Sequence, residues 1–121
     1  MSPNTLTKGM RGERIACDFL LKSGYRIIER NWRCKWGEID IIAAIEGTIV
    51  FIEVKSATGT GFGAPMEWVT PRKRKKIIMA AKQYILDNPI ENMLIRFDVI
   101  AIDLRMNTVN HIPNAFYCEE E

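Results

Sequence analysis

Ligand-type side chains are scarce in this chain. It has one histidine, His111, and three scattered cysteines, Cys17, Cys34 and Cys118, with no CxxC pair. That argues against a zinc site and against a disulfide framework, and it fits a reduced, cytoplasmic setting. Long apolar runs are missing too. No stretch approaches the ~20 apolar residues of a membrane span, and Met1-Ser2-Pro3-Asn4-Thr5 lacks the apolar run of a signal peptide. There is no internal repeat, low-complexity segment or composition break, so residues 1–121 are expected to form one domain around one core. Nor is there a strong excess of one charge: the formal net charge is +2. The distribution is more telling than the balance. Arg72-Lys73-Arg74-Lys75-Lys76 is an unbroken run of five cations, partly offset by Glu119-Glu120-Glu121.

What the chain does have is two adjacent apolar stretches that carry charge. Gly37-Glu38-Ile39-Asp40-Ile41-Ile42 and Ile49-Val50-Phe51-Ile52-Glu53-Val54-Lys55 read as buried strands, and carboxylates are rarely buried without a partner. The link between them contains Glu46-Gly47, an acceptable tight turn. A turn centred on that pair sets 45 against 48 and Asp40 against Glu53, with Cβ atoms about 4.5–5.5 Å apart. Two like charges that close destabilise the fold or force one carboxyl to keep its proton. A divalent cation removes the conflict, and oxygen-rich sites of this kind suit magnesium. Lys55 shares a face with Glu53, and Glu38 falls across from Lys55 in the same register. Two acids, an amine and a metal would suit phosphodiester hydrolysis. A structural ion-pair cluster at a strand end fits the spacing equally, and a loop one residue longer or shorter would put Asp40 and Glu53 on opposite faces.

Helix one is expected from about Thr7 to Lys22, with Ala16, Phe19 and Leu20 inward and Gly24 as the stop. Glu13 lies at the margin of that stripe. It is either a first-turn acid favouring the helix dipole or a carboxylate aimed at the sheet. Strand one spans roughly Tyr25 to Arg33. Trp32, Arg33, Lys35 and Trp36 interleave aromatic and basic groups, either as a base-stacking surface or as a tryptophan packed on a turn. In strands two and three, Ile39, Ile41, Val50, Ile52 and Val54 are assigned to one face. Ile42, Ala44, Ile49 and Phe51 take the other, beside Asp40 and Glu53. Burial on both faces implies central strands covered by helices on both sides.

Ala57 to Pro65 is a glycine-rich loop with no GK[ST], so it is not a phosphate-binding loop. Helix two starts with Thr70 as cap and Pro71 as first residue. It runs to about Asp87, with Ile77, Ile78, Ala81, Tyr84 and Ile85 inward. Its five leading cations oppose the macrodipole at roughly 0.3–1 kcal/mol each near the end. Helix stability does not explain them; a nucleic-acid phosphate held at the helix start does, and so does a solvated basic face. Strand four is Leu94 to Leu104, with Asp98 as the partner of a nearby cation, and a short strand five covers Thr108 to Ile112. The order gives an α/β fold with a mixed central sheet flanked by helices.

An αβββαβ order with an acid on strand two and Glu-x-Lys on strand three resembles the PD-(D/E)xK restriction-endonuclease-like superfamily. More closely, the chain is similar to the YraN-like family of small bacterial predicted endonucleases, distantly related to archaeal Holliday-junction resolvases. The matching segments are Gly9 to Ala16, Gly37 to Asp40, Phe51 to Lys55, Val69-Thr70 with Lys73, Arg96 to Val99, and Asn114 to Phe116. Ile39 stands where the superfamily usually has proline. The resemblance implies Asp40 and Glu53 as metal ligands, the Val54 carbonyl as a further ligand, Lys55 as the catalytic lysine and Glu13 as the acid completing the site. It implies Mg2+, with Mn2+ as a substitute, and a two-fold dimer as in resolvase-like relatives.

Three functions follow. One is a magnesium-dependent endonuclease on DNA, branched or otherwise structured DNA included, with Arg72, Lys73, Arg74, Lys75 and Lys76 holding the backbone. Another is a nucleic-acid-binding module without chemistry. The third is a protein adaptor that uses the tryptophans and the glycine-rich loop.

Overall fold

The computed structural model describes residues 7–58, 63 and 67–117. Helix α1 (Lys8–Lys22) is followed by strands β1 (Arg26–Cys34), β2 (Gly37–Ile45) and β3 (Thr48–Ala57), helix α2 (Pro71–Asp87), and strands β4 (Leu94–Asp103) and β5 (Thr108–Phe116). The order is the expected one. The last strand runs four residues further than the alternation in the sequence indicates, carried by pairing that ends at Phe97 opposite Phe116. The sheet is β1-β2-β3-β4-β5. β3 and β4 are parallel and every other pair is antiparallel, because α2 provides the long crossover that parallel neighbours need. This mixed sheet between two helices is consistent with an αβββαβ restriction-endonuclease-like core.

Local chemistry sets the boundaries. Thr7 caps α1 by accepting the Met10 N–H at 3.1 Å, and Thr70 caps α2 by accepting the Lys73 N–H at 3.2 Å. Gly24, at φ 93°, turns the chain out of α1 in the left-handed region. The β2–β3 turn has positive φ at both Glu46 (43°) and Gly47 (78°), the signature of the tight turn whose twist suits a hairpin. It pairs Ile45 with Thr48 and carries the register to Ile41 opposite Ile52.

Each sheet face buries its own core. Under α1 lie Ile41, Ala43, Val50, Ile52, Ile100 and Ile102, against Ala16, Cys17 and Leu20. Under α2 lie Ile42, Ala44, Ile49, Phe51, Phe97 and Val99, against Ile77, Ala81 and Tyr84. Ile39 corrects the sequence reading: it packs under α2 with Ile42, not with Ile41 and Ile52. Strict alternation fails there because the pleat changes phase around Asp40. On the neighbouring strand Asn31 adopts φ 53°, and Trp32, paired with Ile39, also packs under α2.

Trp32 meets Tyr84 edge to face at 5.2 Å, so it is a packing residue rather than an exposed stacking platform. Trp36 remains exposed, with the Lys35 ammonium 5.2 Å from its ring centre. Cys17 and Cys34 are free thiols. Most of the glycine-rich segment, the acidic tail and Cys118 lie outside the described residues. Among those described, no helix is long and apolar enough to cross a membrane.

Candidate active site

The hairpin turn delivers the two central acids to one place but not as a simple facing pair. The ladder between β2 and β3 ends at Ile41 and Ile52. One step further, Asp40 does not continue it. Its Oδ2 accepts the Val54 N–H at 2.8 Å, so a side-chain carboxylate occupies a hydrogen-bonding place that backbone would otherwise fill. Burial pushes the Asp40 carboxyl up to about 7, and the charge of Glu53 adds to the push, with smaller contributions from Glu13 and Glu38. The Val54 N–H works in the opposite direction. The Glu53 charge therefore acts on Asp40 in the direction expected of two neighbouring carboxylates, second to burial.

Glu13 reaches this end of the sheet from α1. It is 9% exposed, and its Oε1 accepts the Asn31 Nδ2–H at 2.7 Å and the Arg30 guanidinium at 3.3 Å. α1 comes this close because residue 12 is glycine: a Cβ there would fall 1.6 Å from Ser56 Oγ and 2.8 Å from Ser56 Cβ. An open cleft of about 640 Å³ lies beside these groups, and Glu13, Glu38, Asp40 and Val54 line it together with Arg14, Arg30 and Arg33. Glu38 is tied to Arg33 at 3.3 Å. The arginines escaped the sequence reading because no cluster marks them. They come from α1 and β1 and meet only in the folded chain.

Glu53 and Lys55 lie on the adjoining stretch of β3, outside that cleft lining. Glu53 is paired, but with Lys73 rather than Lys55: the Lys73 ammonium stands 3.1 Å from Glu53 Oε2. Lys73 gains its proton more firmly for that reason, Glu53 being the main cause. Lys55 is half-buried, paired through backbone with Ala101, and makes no ion pair with a described residue. The basic run of α2 is thus divided. Lys73 turns to the acids, Arg74 lines a separate hollow with Trp68, Val69 and Phe116, and Arg72, Lys75 and Lys76 face solvent.

Among the described residues, no three His, Cys, Asp or Glu side chains gather as a metal cage. Magnesium does not require one. It is commonly held by one or two carboxylates, completing its shell with waters and substrate oxygens. Two mutually repelling carboxylates, one of them driven toward its neutral form, are a donor set that such an ion would relieve.

A separate polar cluster serves the scaffold. Asp98 is fully buried on the α1 face. It accepts two hydrogen bonds from Arg96 (2.9 and 2.8 Å), the Asn114 N–H (3.1 Å) and a contact from His111 Nε2 (2.7 Å). Arg96 also reaches Tyr25 Oη at 2.6 Å. Burial alone would raise the Asp98 pKa, but the His111 and Arg96 bonds outweigh it and hold the carboxyl below its ordinary value. This confirms the expected cationic partner of Asp98.

Residues 12–102 match the model of the uncharacterised protein family UPF0102. A UPF0102 protein of Clostridioides difficile is 50% identical over 113 residues, covering 93% of this chain and 99% of that protein. One from Persephonella marina is 49% identical over 109 residues, covering 90% and 92%. Among solved structures, SfsA of Pyrococcus furiosus in complex with Ca2+ aligns with 87% of this chain and 61% of its own. Its TM-score is 0.32 at 14% identity.

Proposed function

Since the chain belongs to the UPF0102 family, we propose, from the site it builds, that it is a metal-dependent nuclease hydrolysing phosphodiester bonds of DNA. The observation that carries this reading is Asp40: a carboxyl raised to about 7 by burial and by Glu53, opening on a cleft that also holds Glu13 and three arginines.

Asp40 and Glu53 would hold Mg2+, or Mn2+ in its place, with the Val54 carbonyl as a further oxygen and Glu13 joining through water. When bound, that ion supplies Lewis-acid polarisation of the phosphate and a water of lowered pKa. The protein's own groups do the rest. Lys55 orients the attacking water or neutralises charge on the phosphate oxygens. Arg14, Arg30 and Arg33 grip the backbone across the cleft as planar, always-charged donors. Of the basic run, Arg72, Lys75 and Lys76 add longer-range attraction that salt weakens.

The test is a panel of linear, flapped and four-way DNA incubated with Mg2+ or Mn2+, with Asp40→Asn in parallel. Cleavage in the parent protein, lost in Asp40→Asn with DNA binding kept, is the expected result. DNA binding without any metal-dependent cleavage in the parent would replace this reading with the second one, a non-catalytic nucleic-acid-binding module. That second reading has its own observation: Lys73 neutralises Glu53 within the protein itself.

A further inference from the structure

Lys73 occupies a position that helix physics disfavours. It lies in the first turn of α2, which contains no acid, and a cation there opposes the helix macrodipole. Its ammonium is drawn instead to Glu53 at 3.1 Å. The two partners differ in freedom. The Glu53 side chain is 13% exposed and fixed on a central strand, whereas that of Lys73 is 53% exposed on a flexible four-carbon stem. The amine can leave; the carboxylate cannot. Glu53 is also the principal charge acting on Asp40, so one carboxylate faces both the second acid and the amine.

Resting on the metal-centre reading above, we propose that Lys73 is an internal counter-ion, displaced from Glu53 by the incoming divalent cation and thereby released to grip a phosphate of the nucleic acid. An ammonium and a doubly charged ion on one carboxylate repel each other, so occupancy by one disfavours the other. The released amine stays at the start of α2, where free backbone N–H groups also favour phosphate. Cation and nucleic acid then assist each other's binding, and the assistance is reciprocal.

The experiment uses the whole chain. Mn2+ is titrated by calorimetry into the parent, Lys73→Met, Asp40→Asn and, as a helix control, Lys82→Met. Binding of a short labelled DNA duplex is measured with and without Mn2+ before appreciable cleavage, and circular dichroism confirms folding. Lys73→Met is expected to bind Mn2+ about two- to five-fold tighter, the scale set by a partly exposed ion pair, and Lys82→Met to match the parent. Mn2+ is expected to tighten duplex binding in the parent and to do so less in Lys73→Met. An ion pair that only supports the fold would leave that metal-linked tightening intact. Mn2+ binding that Asp40→Asn abolishes, combined with unchanged or weaker binding in Lys73→Met or with undiminished tightening, overturns the counter-ion role alone. Absence of Mn2+ binding in both the parent and Lys73→Met overturns the metal centre and the counter-ion role together.

Discussion

Gly12 and Ser56 meet with no room for a methyl group between them: a Cβ on residue 12 would lie 1.6 Å from the Ser56 oxygen. This contact seats α1 on β3 one residue away from Glu13. The Ser56 hydroxyl is buried without a hydrogen-bond partner among the described residues, so its loss costs little. Gly12→Ala is expected to destabilise the protein by about 1–3 kcal/mol through overpacking. Ser56→Gly in the same chain should restore much of that, and Ser56→Ala alone should be near neutral. Denaturant midpoints at constant slope would measure all three.

Asp40 sets a second expectation, in pH. Its folded-state pKa of about 7 stands above the ordinary 3.8. The native state therefore binds this proton more tightly than the unfolded chain does. Stability is unaffected by this group below about pH 4, falls as pH rises from there, and reaches its full penalty above about pH 7. Asp40→Asn keeps an acceptor for the Val54 N–H and removes the charge. It should stabilise the protein by on the order of 1–3 kcal/mol at pH 8 and hardly at all at pH 4. Equal gains at the two pH values would contradict the assignment.

The same proton bears on metal loading. A carboxylate must be ionised to bind a cation, so affinity for Mn2+ should rise with pH up to and slightly beyond 7, with proton release on binding. Calorimetry in two buffers of different ionisation enthalpy would detect the released proton. Its absence at pH 6.5 would remove Asp40 from the ligand set.

Asp98 behaves in the opposite sense. Hydrogen bonds from His111 and Arg96 lower its folded-state pKa. Its stabilising contribution is present above the ordinary carboxylate value and is lost as pH falls through the lowered one. Asp98→Ala leaves the half-buried Arg96 facing apolar surroundings, with a cost of about 3–5 kcal/mol. Asp98→Asn should cost less and flatten acid unfolding. Thermal melts from pH 3 to pH 7 would show whether it does.

Asn31 offers a separation of backbone from side chain. It holds φ 53° and donates to Glu13 at 2.7 Å. Asn31→Gly keeps the backbone accessible and removes the bond, at about 0.5–1.5 kcal/mol, whereas Asn31→Val adds a β-branched residue to a left-handed position and should cost more. Reduced cleavage in a folded Asn31→Gly protein would show that fixing Glu13 matters to the chemistry.

Much of this fold follows from short-range signals. Thr70-Pro71 announced α2, Gly24 closed α1, and Glu46-Gly47 set the hairpin register as far as Ile41 and Ile52. Those signals depend on neighbours in the chain. What escaped depends on three dimensions. Alternation puts Ile39 on the wrong face because it assumes an unbroken pleat, and the bond from the Val54 N–H to the Asp40 carboxylate marks where that pleat breaks. The cation on Glu53 comes from residue 73, twenty positions away, and not from the residue two positions along. Arg14, Arg30 and Arg33 share a cleft only because α1 folds back across β1 and β2. Charge runs are visible in a sequence, but charges assembled from separate elements are not.

The bond from the Val54 amide to Asp40 carries one more consequence. A carboxylate that serves as a rung of the sheet is part of the scaffold as well as part of the candidate chemistry. Truncating it to alanine would unzip the hairpin's open end and silence the site in the same stroke, so a dead Asp40→Ala protein would not reveal which of the two had failed. For the same reason, drift in this lineage can discard the acid's charge more readily than its oxygen. On the proposed nuclease reading, a relative without hydrolytic activity would be expected to carry asparagine at this position and still close its sheet.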